Sequence, residues 1–292
     1  MSNKDVSNII TNSEILFIYD AEKTNPNGDM DNQNKPRMDW DTNTNLVSDV
    51  RLKRYIRDYF EKYLGEEIFI TENAKDSKDR AKQLDSNKKQ HTDLIDVRLF
   101  GAVFAEEGSN SHISGPVQFN WGYSLNEVEL QESTTITSSF SSGTGVGKDY
   151  RVKYSVIAFN GAINGNAAKT STLSEKDIVL LDEAILNSIP LCRTRSKIGQ
   201  TPRLYIRVCL KDEKSYLDDL REYISLKNKK NLNNVLDVEL NISNLIGYLK
   251  KNTEKISEII CWKHENLSVP EFETLTDENT YNKNVKITKL VI

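Results

Sequence analysis

The order of the hydrophobic patterns between residues 14 and 210 constrains the fold more strongly than any other feature of this chain. A short apolar run over residues 14–20 predicts a buried strand, which ends at a loop rich in turn-forming residues. The strongest helix signal follows this loop. Ser48 is a suitable N-cap, apolar side chains recur on one face of the helix, and Gly65 closes its far end.

Four further segments complete the pattern. Residues 117–130 and 151–163 are predicted strands, a second helix begins at the capping-box pair Ser174 and Asp177, and another strand covers 203–210. The resulting order is βαββαβ, which is typical of ferredoxin-like and RRM-like folds and predicts an α+β protein. Beyond residue 210 the sequence predicts helices near 215–226 and 242–250, and strands near 235–240, 256–262 and 285–292.

Two segments between these elements lack the apolar side chains that a core requires. Residues 71–93 carry many charges of both signs and predict an exposed, partly helical insertion. Residues 131–148 are mainly Ser, Thr and Gly, so we expect an exposed hairpin. Its glycines do not form a phosphate-binding loop, because Ser142 and Asp149 stand where that motif requires Gly and Ser or Thr.

The composition favours a cytoplasmic protein with reduced thiols. Hydrophobic residues make up 37% and charged residues 28% of the chain, and no apolar run approaches the roughly 18 residues that a membrane span requires. The N-terminus lacks the pattern of a secretory signal peptide. Cys192, Cys209 and Cys261 are odd in number and widely spaced, which argues against a disulfide framework or a zinc site.

Positive charge is concentrated in one stretch of a chain whose formal net charge is −4. Six Lys and Arg residues, and no acidic residue, occur between Leu191 and Lys211. Arg binds phosphate through a planar fork of donors, so the stretch is a candidate nucleic-acid contact. The alternative is an edge strand whose charges protect it from aggregation.

A second basic group lies at the start of the first predicted helix, at Arg51, Lys53 and Arg54. The free amides and the dipole of a helix N-terminus favour a phosphate at the same place. Lys148 and Arg151 flank the predicted hairpin, whereas residues 99–147 contain no Lys or Arg. This uneven distribution suits a chain that stacks on copies of itself along a polyanion; the alternative is ordinary surface charge.

The loop after the first strand contains four aspartates, Asp29, Asp31, Asp39 and Asp41, whose oxygens suit calcium or magnesium. The EF-hand pattern is not met, because its Gly is misplaced and its final Glu is missing. A tight loop held by its own hydrogen bonds is the preferred interpretation. With three histidines and no catalytic arrangement of Ser, Cys, His or acids, the residues give an enzyme no positive support.

Five blocks resemble one family in the correct order along the chain. They are NPNGD, LVSDVRLKRYIRDYF, DVRLFG, GPVQF and RTRSKIGQTPRLYIRV. Together they resemble the Cas7 group, the backbone subunit of type I CRISPR Cascade complexes, and are most similar to its type I-B branch. The resemblance covers residues 14–210, while the C-terminal third matches only in general character.

The resemblance implies an RRM-like palm, a helical fingers insertion and a β-hairpin thumb. The palm would comprise residues 1–64, 116–130 and 154–292, the fingers residues 65–115, and the thumb residues 131–153. The RNP1 pattern of ordinary RRMs is absent from the third predicted strand, so stacking of bases on sheet aromatics is not expected.

The resemblance also implies a non-catalytic subunit that binds a guide RNA (crRNA) and needs no cofactor. Several copies would polymerise along the spacer, each thumb would kink the RNA, and the intervening bases would pair with target DNA. The implied partners are the crRNA, target DNA through the crRNA, copies of the chain, a Cas5-like cap, the large subunit and a Cas6-like processing nuclease. Binding without sequence preference is expected, because any spacer must be accommodated.

The RNA-binding residues that follow from these patterns and from the resemblance are Asn25, Asn27, Arg51, Lys53, Arg54, Lys148, Arg151, Arg193, Arg195 and Lys197. Thr137 and Phe140 in the thumb would wedge the RNA at its kink. Two alternatives stay open. One is a metal-dependent ribonuclease that uses Asp29 or Asp39, as in relatives from type III systems. The other is a structural protein that self-assembles without nucleic acid.

Overall fold

A computed structural model of the chain describes residues 10–106, 109–131, 135–137, 146–281 and 284–291. The strands are β1 (Ser13–Thr24), β2 (Gly28–Asp29), β3 (Lys35–Pro36), β4 (Met38–Asp39), β5 (Thr44–Val47), β6 (Gly101–Glu106), β7 (Ser109–Ser114), β8 (Val117–Phe119), β9 (Gly122–Ser124), β10 (Leu130–Gln131), β11 (Thr135–Thr137), β12 (Val146–Lys148), β13 (Arg151–Ile163), β14 (Gln200–Leu210), β15 (Ser225–Leu226), β16 (Leu240–Asn241), β17 (Ile256–Lys263) and β18 (Lys286–Lys289). The α-helices are α1 (Asp49–Tyr59), α2 (Ser77–Ser86), α3 (Ile95–Phe100), α4 (Gly165–Ser171), α5 (Glu175–Leu191), α6 (Ser243–Lys251) and α7 (Phe272–Leu275). No helix within these ranges is long and apolar enough to span a membrane.

The central sheet joins strands that are far apart in sequence. β1 lies in the middle and is antiparallel to β13 on one side and to β14 on the other. The short strands β8, β9 and β10 pair with the far side of β13, so the predicted strand over 117–130 is divided into three. β17 and β18 extend the sheet beyond β14, and β18 runs parallel to β17. The fold is therefore a mixed α+β architecture around a large, mostly antiparallel sheet.

Both main helices begin where the sequence predicts, and Gly65 follows the end of the first as predicted. Ser174 caps α5 in a capping box: its hydroxyl accepts from the Asp177 amide at 3.2 Å, and the Asp177 carboxylate accepts from the Ser174 amide at 3.0 Å. α1 ends in a π-helical turn, Phe60–Leu64, and Gly65 follows with φ of 68°. A left-handed residue at this position favours glycine, because it has no Cβ to clash.

Side chains alternate along β1 between two cores. Ile15, Phe17 and Tyr19 face a core shared with α1, α3 and α5. Leu16 and Ile18 face the opposite core, which is completed by the C-terminal third of the chain. Strands buried on both faces read as continuous apolar runs rather than as alternating ones, which is what residues 14–20 show.

The C-terminal third covers the second face of the sheet. Side chains from its turns and from α6 and α7 are buried there, among them Leu220, Leu240, Leu249 and Leu275. The aromatic residues of the three central strands are all buried as well: Phe17, Tyr19, Tyr154, Phe159 and Tyr205. The rings of these three strands are therefore part of the two cores, whereas Tyr123 on the short strand β9 is 41% exposed.

Two C-terminal predictions are wrong. Residues 215–226 form a short 3-10 helix, Leu220–Tyr223, and the strand β15 instead of a helix, and residues 235–240 begin with another 3-10 helix. Side chains compete here with regular backbone hydrogen bonds, since Asp219 accepts from the Arg221 amide and Asn234 from the Leu236 amide. The predictions of α6, β17 and β18 are confirmed.

The segment over residues 65–115 contributes side chains to a small third core. Phe69, Leu84, Leu94, Val97 and Phe104 pack together between α2, α3 and the β6–β7 hairpin. The predicted partly helical character of 71–93 is confirmed by α2. The hairpin that follows α3 is not predicted from the sequence.

Candidate nucleic-acid interface

Three distant segments meet at the end of β1. The loop after β1 contacts the turn before β14 through the Asn25 amide, which donates to the Ser196 carbonyl oxygen at 3.0 Å. It also contacts the N-terminus of α1, because Asn27 Oδ1 accepts from the Ser48 amide at 2.8 Å and from its hydroxyl at 2.9 Å. The two basic groups of the sequence, near residues 51 and 195, are thereby brought to one edge of the molecule.

The two asparagines hold this loop in place. Asn25 and Asn27 are buried, and the Asn25 side-chain amide donates to the Asn34 carbonyl oxygen at 2.7 Å. Their side chains are directed at the protein backbone and at Ser48. The predicted RNA-binding residues Asn25 and Asn27 therefore lie at the site, but mainly as residues that shape it.

The cations at the start of α1 differ in how far they are already paired. Lys53 is buried and donates to Asp49 at 3.1 Å and to Gln118 at 2.9 Å. Arg54 donates to the Asp58 carboxylate and to the Ile70 carbonyl oxygen. Arg51 has no carboxylate partner in the described ranges, and its Nε makes no hydrogen bond there. Arg51 is thus the residue of this group that is most available to a phosphate.

Arg51 is also held in position by an aromatic ring. Its guanidinium lies 4.1 Å from the centroid of the Tyr55 ring, and Nη2 lies 4.0 Å from Cys192 Sγ. Stacking on an aromatic face holds the guanidinium in place without removing its charge. The arrangement orients a cation without neutralising it.

Arg51 lies in a cavity of about 420 Å³ at the N-terminus of α1. The lining residues are Asn27, Gly28, Met30, Arg37, Ser48, Val50, Arg51, Arg54 and Trp121. Six of them are not among the predicted RNA-binding residues: Gly28, Met30, Arg37, Ser48, Val50 and Trp121. Arg37 and Met30 come from the polar loop, while Trp121 is the second residue after the GPVQF block. An aromatic residue between polar neighbours was the available signal for Trp121.

The turn before β14 supplies further cations. Arg193 is exposed and has no ion-pair partner among the described residues. The Arg195 side chain is 62% exposed, and its Nη1 lies 3.5 Å from Asp149. Lys197 is half-buried and donates to the carbonyl oxygens of Asn25 at 2.5 Å and Pro26 at 3.1 Å. Burial and the positive charge of Arg51 lower the pKa of Lys197 to about 7.

Two further arginines of the basic stretch lie on β14 and are paired with carboxylates. Arg203 donates to Asp20 at 2.8 Å, and Arg207 donates to Asp182 at 2.5 Å. Both arginines are therefore part of the ion pairs that join β14 to β1 and to α5. The basic stretch divides into an exposed turn and a buried strand.

The predicted hairpin begins with an antiparallel pair, in which Thr135 faces Lys148 and Thr137 faces Val146. Lys148 is exposed. Arg151 donates to Asp149 at 2.7 Å and to the Lys23 carbonyl oxygen at 3.1 Å. Thr137 is described by its backbone alone, and Phe140 lies outside the described residues, so the wedge assignment remains a prediction.

Asp29 and Asp39 of the first loop make contacts within that loop. Asp29 pairs with Arg37 at 3.1 Å, and Asp39 accepts from the Asp41 amide and the Thr42 hydroxyl at 3.0 and 2.8 Å. Within the described ranges, no group of three or more His, Cys, Asp or Glu is arranged to hold a metal ion. These contacts agree with the interpretation of a tight, hydrogen-bonded loop.

A larger cavity, of about 840 Å³, lies at the opposite end of β1. It is bounded by α5, β17 and the start of β1, and the ion pair of Asp182 and Arg207 lies in its wall. None of the predicted RNA-binding residues lines it. Size alone therefore does not mark the candidate interface.

Comparison with known proteins finds similarity to CRISPR-associated proteins. The family model "CRISPR-associated protein Cas7" matches residues 11–243. A "CRISPR-associated protein Cas7" from Haloferax volcanii is 32% identical in an alignment that covers 86% of each chain. A chain of a "CRISPR RNA-guided surveillance complex, pre-nicking" has a TM-score of 0.58 at 13% identity, with 96% of this chain and 97% of that chain covered. A chain of a second "CRISPR RNA-guided surveillance complex" has a TM-score of 0.54 at 17% identity, with 88% and 90% covered. The family model and the close relative agree with the five sequence blocks, and this chain belongs to the Cas7 family of CRISPR-associated proteins.

Proposed function

We propose that the chain is a non-catalytic, guide-RNA-binding subunit that forms the backbone of a CRISPR interference complex in several copies. The observation that carries this proposal is the position of Arg51 in a Cas7-family chain. It is an oriented cation with no carboxylate partner in the described structure, it lines an open cavity, and it contacts Cys192, which directly precedes the exposed Arg193. Such a cluster neutralises phosphates whatever the base sequence.

The sheet supports the finer fold assignment that belongs to this function. β14, β1, β13 and the β8–β10 segment lie side by side in an antiparallel order of fourth, first, third and second strand. This is the order of a ferredoxin-like, RRM-like palm. We propose that the insertion over 65–115 forms the fingers and that residues 131–153 form the thumb.

The contacts refine the proposed set of RNA-binding residues. Arg51, Arg193, Arg195 and Lys148 are the primary phosphate ligands, because the protein engages them least. Lys53, Arg54 and Arg151 already have carboxylate partners at 3.1, 2.9 and 2.7 Å, so they contribute less to binding. Asn25, Asn27 and Lys197 hold the loop that presents the cavity.

The proposed partners are a crRNA, target DNA through that crRNA, further copies of the chain, and other subunits of the complex. Those subunits would be a Cas5-like cap, the large subunit and a Cas6-like processing nuclease, and the type I-B assignment belongs to the same proposal. A role without catalysis is supported by the engagement of Asp29 and Asp39 within their own loop.

Co-expression with a CRISPR array and the partner subunits tests the function. We expect a large particle by size-exclusion light scattering, containing intact, array-derived RNA. The double variant Arg51→Ala/Arg193→Ala should lose most of this RNA. The matched control Lys250→Ala/Lys251→Ala removes the same charge from α6, over the other face of the sheet, and should keep it. RNA-free chains in the presence of all partners would refute the proposal, and magnesium-dependent RNA cleavage that Asp29→Ala abolishes would favour the nuclease.

A further inference from the structure

Trp121 projects from an interruption between β8 and β9. Both short strands pair with β13, and the three residues between them, 120–122, stand opposite only two residues of β13, 159 and 160, which makes a bulge of one extra residue. The bulge is fixed by the Asn120 amide, which donates to the Asn160 carbonyl oxygen at 2.9 Å, and by the Trp121 amide, which donates to Asn120 Oδ1 at 2.8 Å. Bulges of this kind re-aim a side chain, and they are common next to functional sites.

The C-terminal third fixes the same residue from the other side. Arg221 Nη1 donates to the Trp121 carbonyl oxygen at 2.8 Å. Arg221 is itself held by Asp219, at 2.6 Å, and its guanidinium lies 5.3 Å from the centroid of the Tyr123 ring. The backbone of Trp121 is therefore held at both its amide and its carbonyl group.

The indole itself is only partly covered. Trp121 is 37% exposed and lines the cavity of Arg51 together with Met30 and Val50, which are 89% and 64% exposed. Its indole N–H makes no hydrogen bond to the described part of the chain. The cavity thus presents an aromatic ring and two exposed apolar side chains beside a cation that no carboxylate neutralises.

A nucleotide offers the matching chemistry, because it joins a flat apolar ring to an anion. Aromatic side chains bind single strands by stacking, and the contact accepts every base because each base has a π face. Arg51 suits the phosphate and Trp121 suits the base. A protein segment would need an acidic group next to an apolar one at the same spacing, so a nucleotide is the simpler occupant.

We propose that Trp121 is a stacking site for one base of the bound RNA, with Arg51 on an adjacent phosphate and Arg221 as a positioning residue. This inference rests on the proposed function and adds the base-contacting residue to it. It also implies that the C-terminal third helps to position an RNA-contacting residue, since Arg221 lies beyond β14 in the sequence.

The test compares Trp121→Ala with Trp121→Phe in the purified full-length chain, using a labelled single-stranded RNA of mixed sequence. Loss of one stacked base should weaken binding roughly 5- to 100-fold in the Ala variant. The Phe variant should retain most of the affinity. This result would also show that substitution at residue 121 does not by itself unfold the chain. Trp40→Ala is the matched control, because Trp40 is 60% exposed but does not line the cavity.

An RNA of the same length without bases separates stacking from charge. Trp121→Ala and Arg221→Ala should weaken binding to RNA but leave binding to the abasic strand unchanged, whereas Arg51→Ala should weaken both. Equal losses of Trp121→Ala on both strands, or no loss on either, would overturn the inference while the proposed function stands. The inference would also be overturned if Trp121→Ala bound a short RNA normally but failed to assemble on a long one. That result would show that Trp121 is a contact between copies of the chain. A wild-type chain that binds no RNA would refute both proposals.

Discussion

Arg207 on β14 and Asp182 on α5 form a buried ion pair, in which Nη2 of the guanidinium lies 2.5 Å from Oδ2 of the carboxylate. The Tyr205 hydroxyl donates to the same carboxylate, also at 2.5 Å. The carboxylate raises the pKa of Arg207 despite its burial, so the guanidinium stays charged. Arg207 belongs to the most basic stretch of the sequence, but its charge stabilises the contact between α5 and β14.

Removing one member of this pair should be costly. Asp182→Ala leaves a buried guanidinium without a counterion, and we expect the free energy of unfolding to fall by about 3–5 kcal/mol. Denaturation in urea measures the loss. Glu239→Ala is the control, because its partner Lys227 is 64% exposed and such surface pairs contribute at most about 1 kcal/mol. A loss as small as that of the control would show that the pair does not anchor α5.

Arg51 and Arg54 should contribute unequally to RNA binding. Arg54 is paired with Asp58, so its net contribution to a phosphate is reduced, whereas Arg51 has no such partner in the described residues. We expect Arg51→Ala to weaken binding more than Arg54→Ala and to reduce the salt slope by about 1. Binding isotherms over a range of salt concentrations measure both quantities. Equal effects of the two variants would contradict this ranking.

RNA affinity should depend on pH through Lys197. Its pKa is about 7 in the free protein because of burial and the charge of Arg51. A phosphate bound nearby favours the charged ammonium and raises this pKa, so binding takes up a proton and the affinity falls as pH rises above about 7. Titrations between pH 6 and 9 measure the slope. Lys197→Arg keeps a permanent charge and should flatten the dependence; an unchanged slope would assign it to another group.

Glu14 should make the fold less stable in alkaline solution. Its pKa is raised from 4.5 to about 7, mainly by burial, with further contributions from Asp219 and Asp218. Since the folded state binds the proton more tightly than the unfolded state, this stabilisation is complete below pH 4.5 and is lost as pH rises through 7. Glu14→Gln should therefore raise the free energy of unfolding at pH 8 relative to wild type, by on the order of 2 kcal/mol, and change it little at pH 4. Equal effects at both pH values would contradict the assignment.

The helices and most of the strands could be predicted because their signals are local. The capping box of Ser174 and Asp177 spans four residues, and Gly65 closes its helix through its own backbone angle. The same local reasoning fails between 211 and 240, where Asp219 and Asn234 replace regular backbone hydrogen bonds and the segment follows the shape of the sheet beneath it.

The sequence alone determined the order of elements, the family and the regions where positive charge collects, because each of these depends on neighbours along the chain or on whole motifs. Only the tertiary structure decided which cations are left without a carboxylate partner and can therefore bind a phosphate. Arg57 meets Asp96 and Arg203 meets Asp20 across 39 and 183 residues of sequence. It also placed Trp121 and Arg51 in the lining of one cavity. Coulombic attraction and stacking depend on distance in space, and no pattern of residue types along a chain carries that distance.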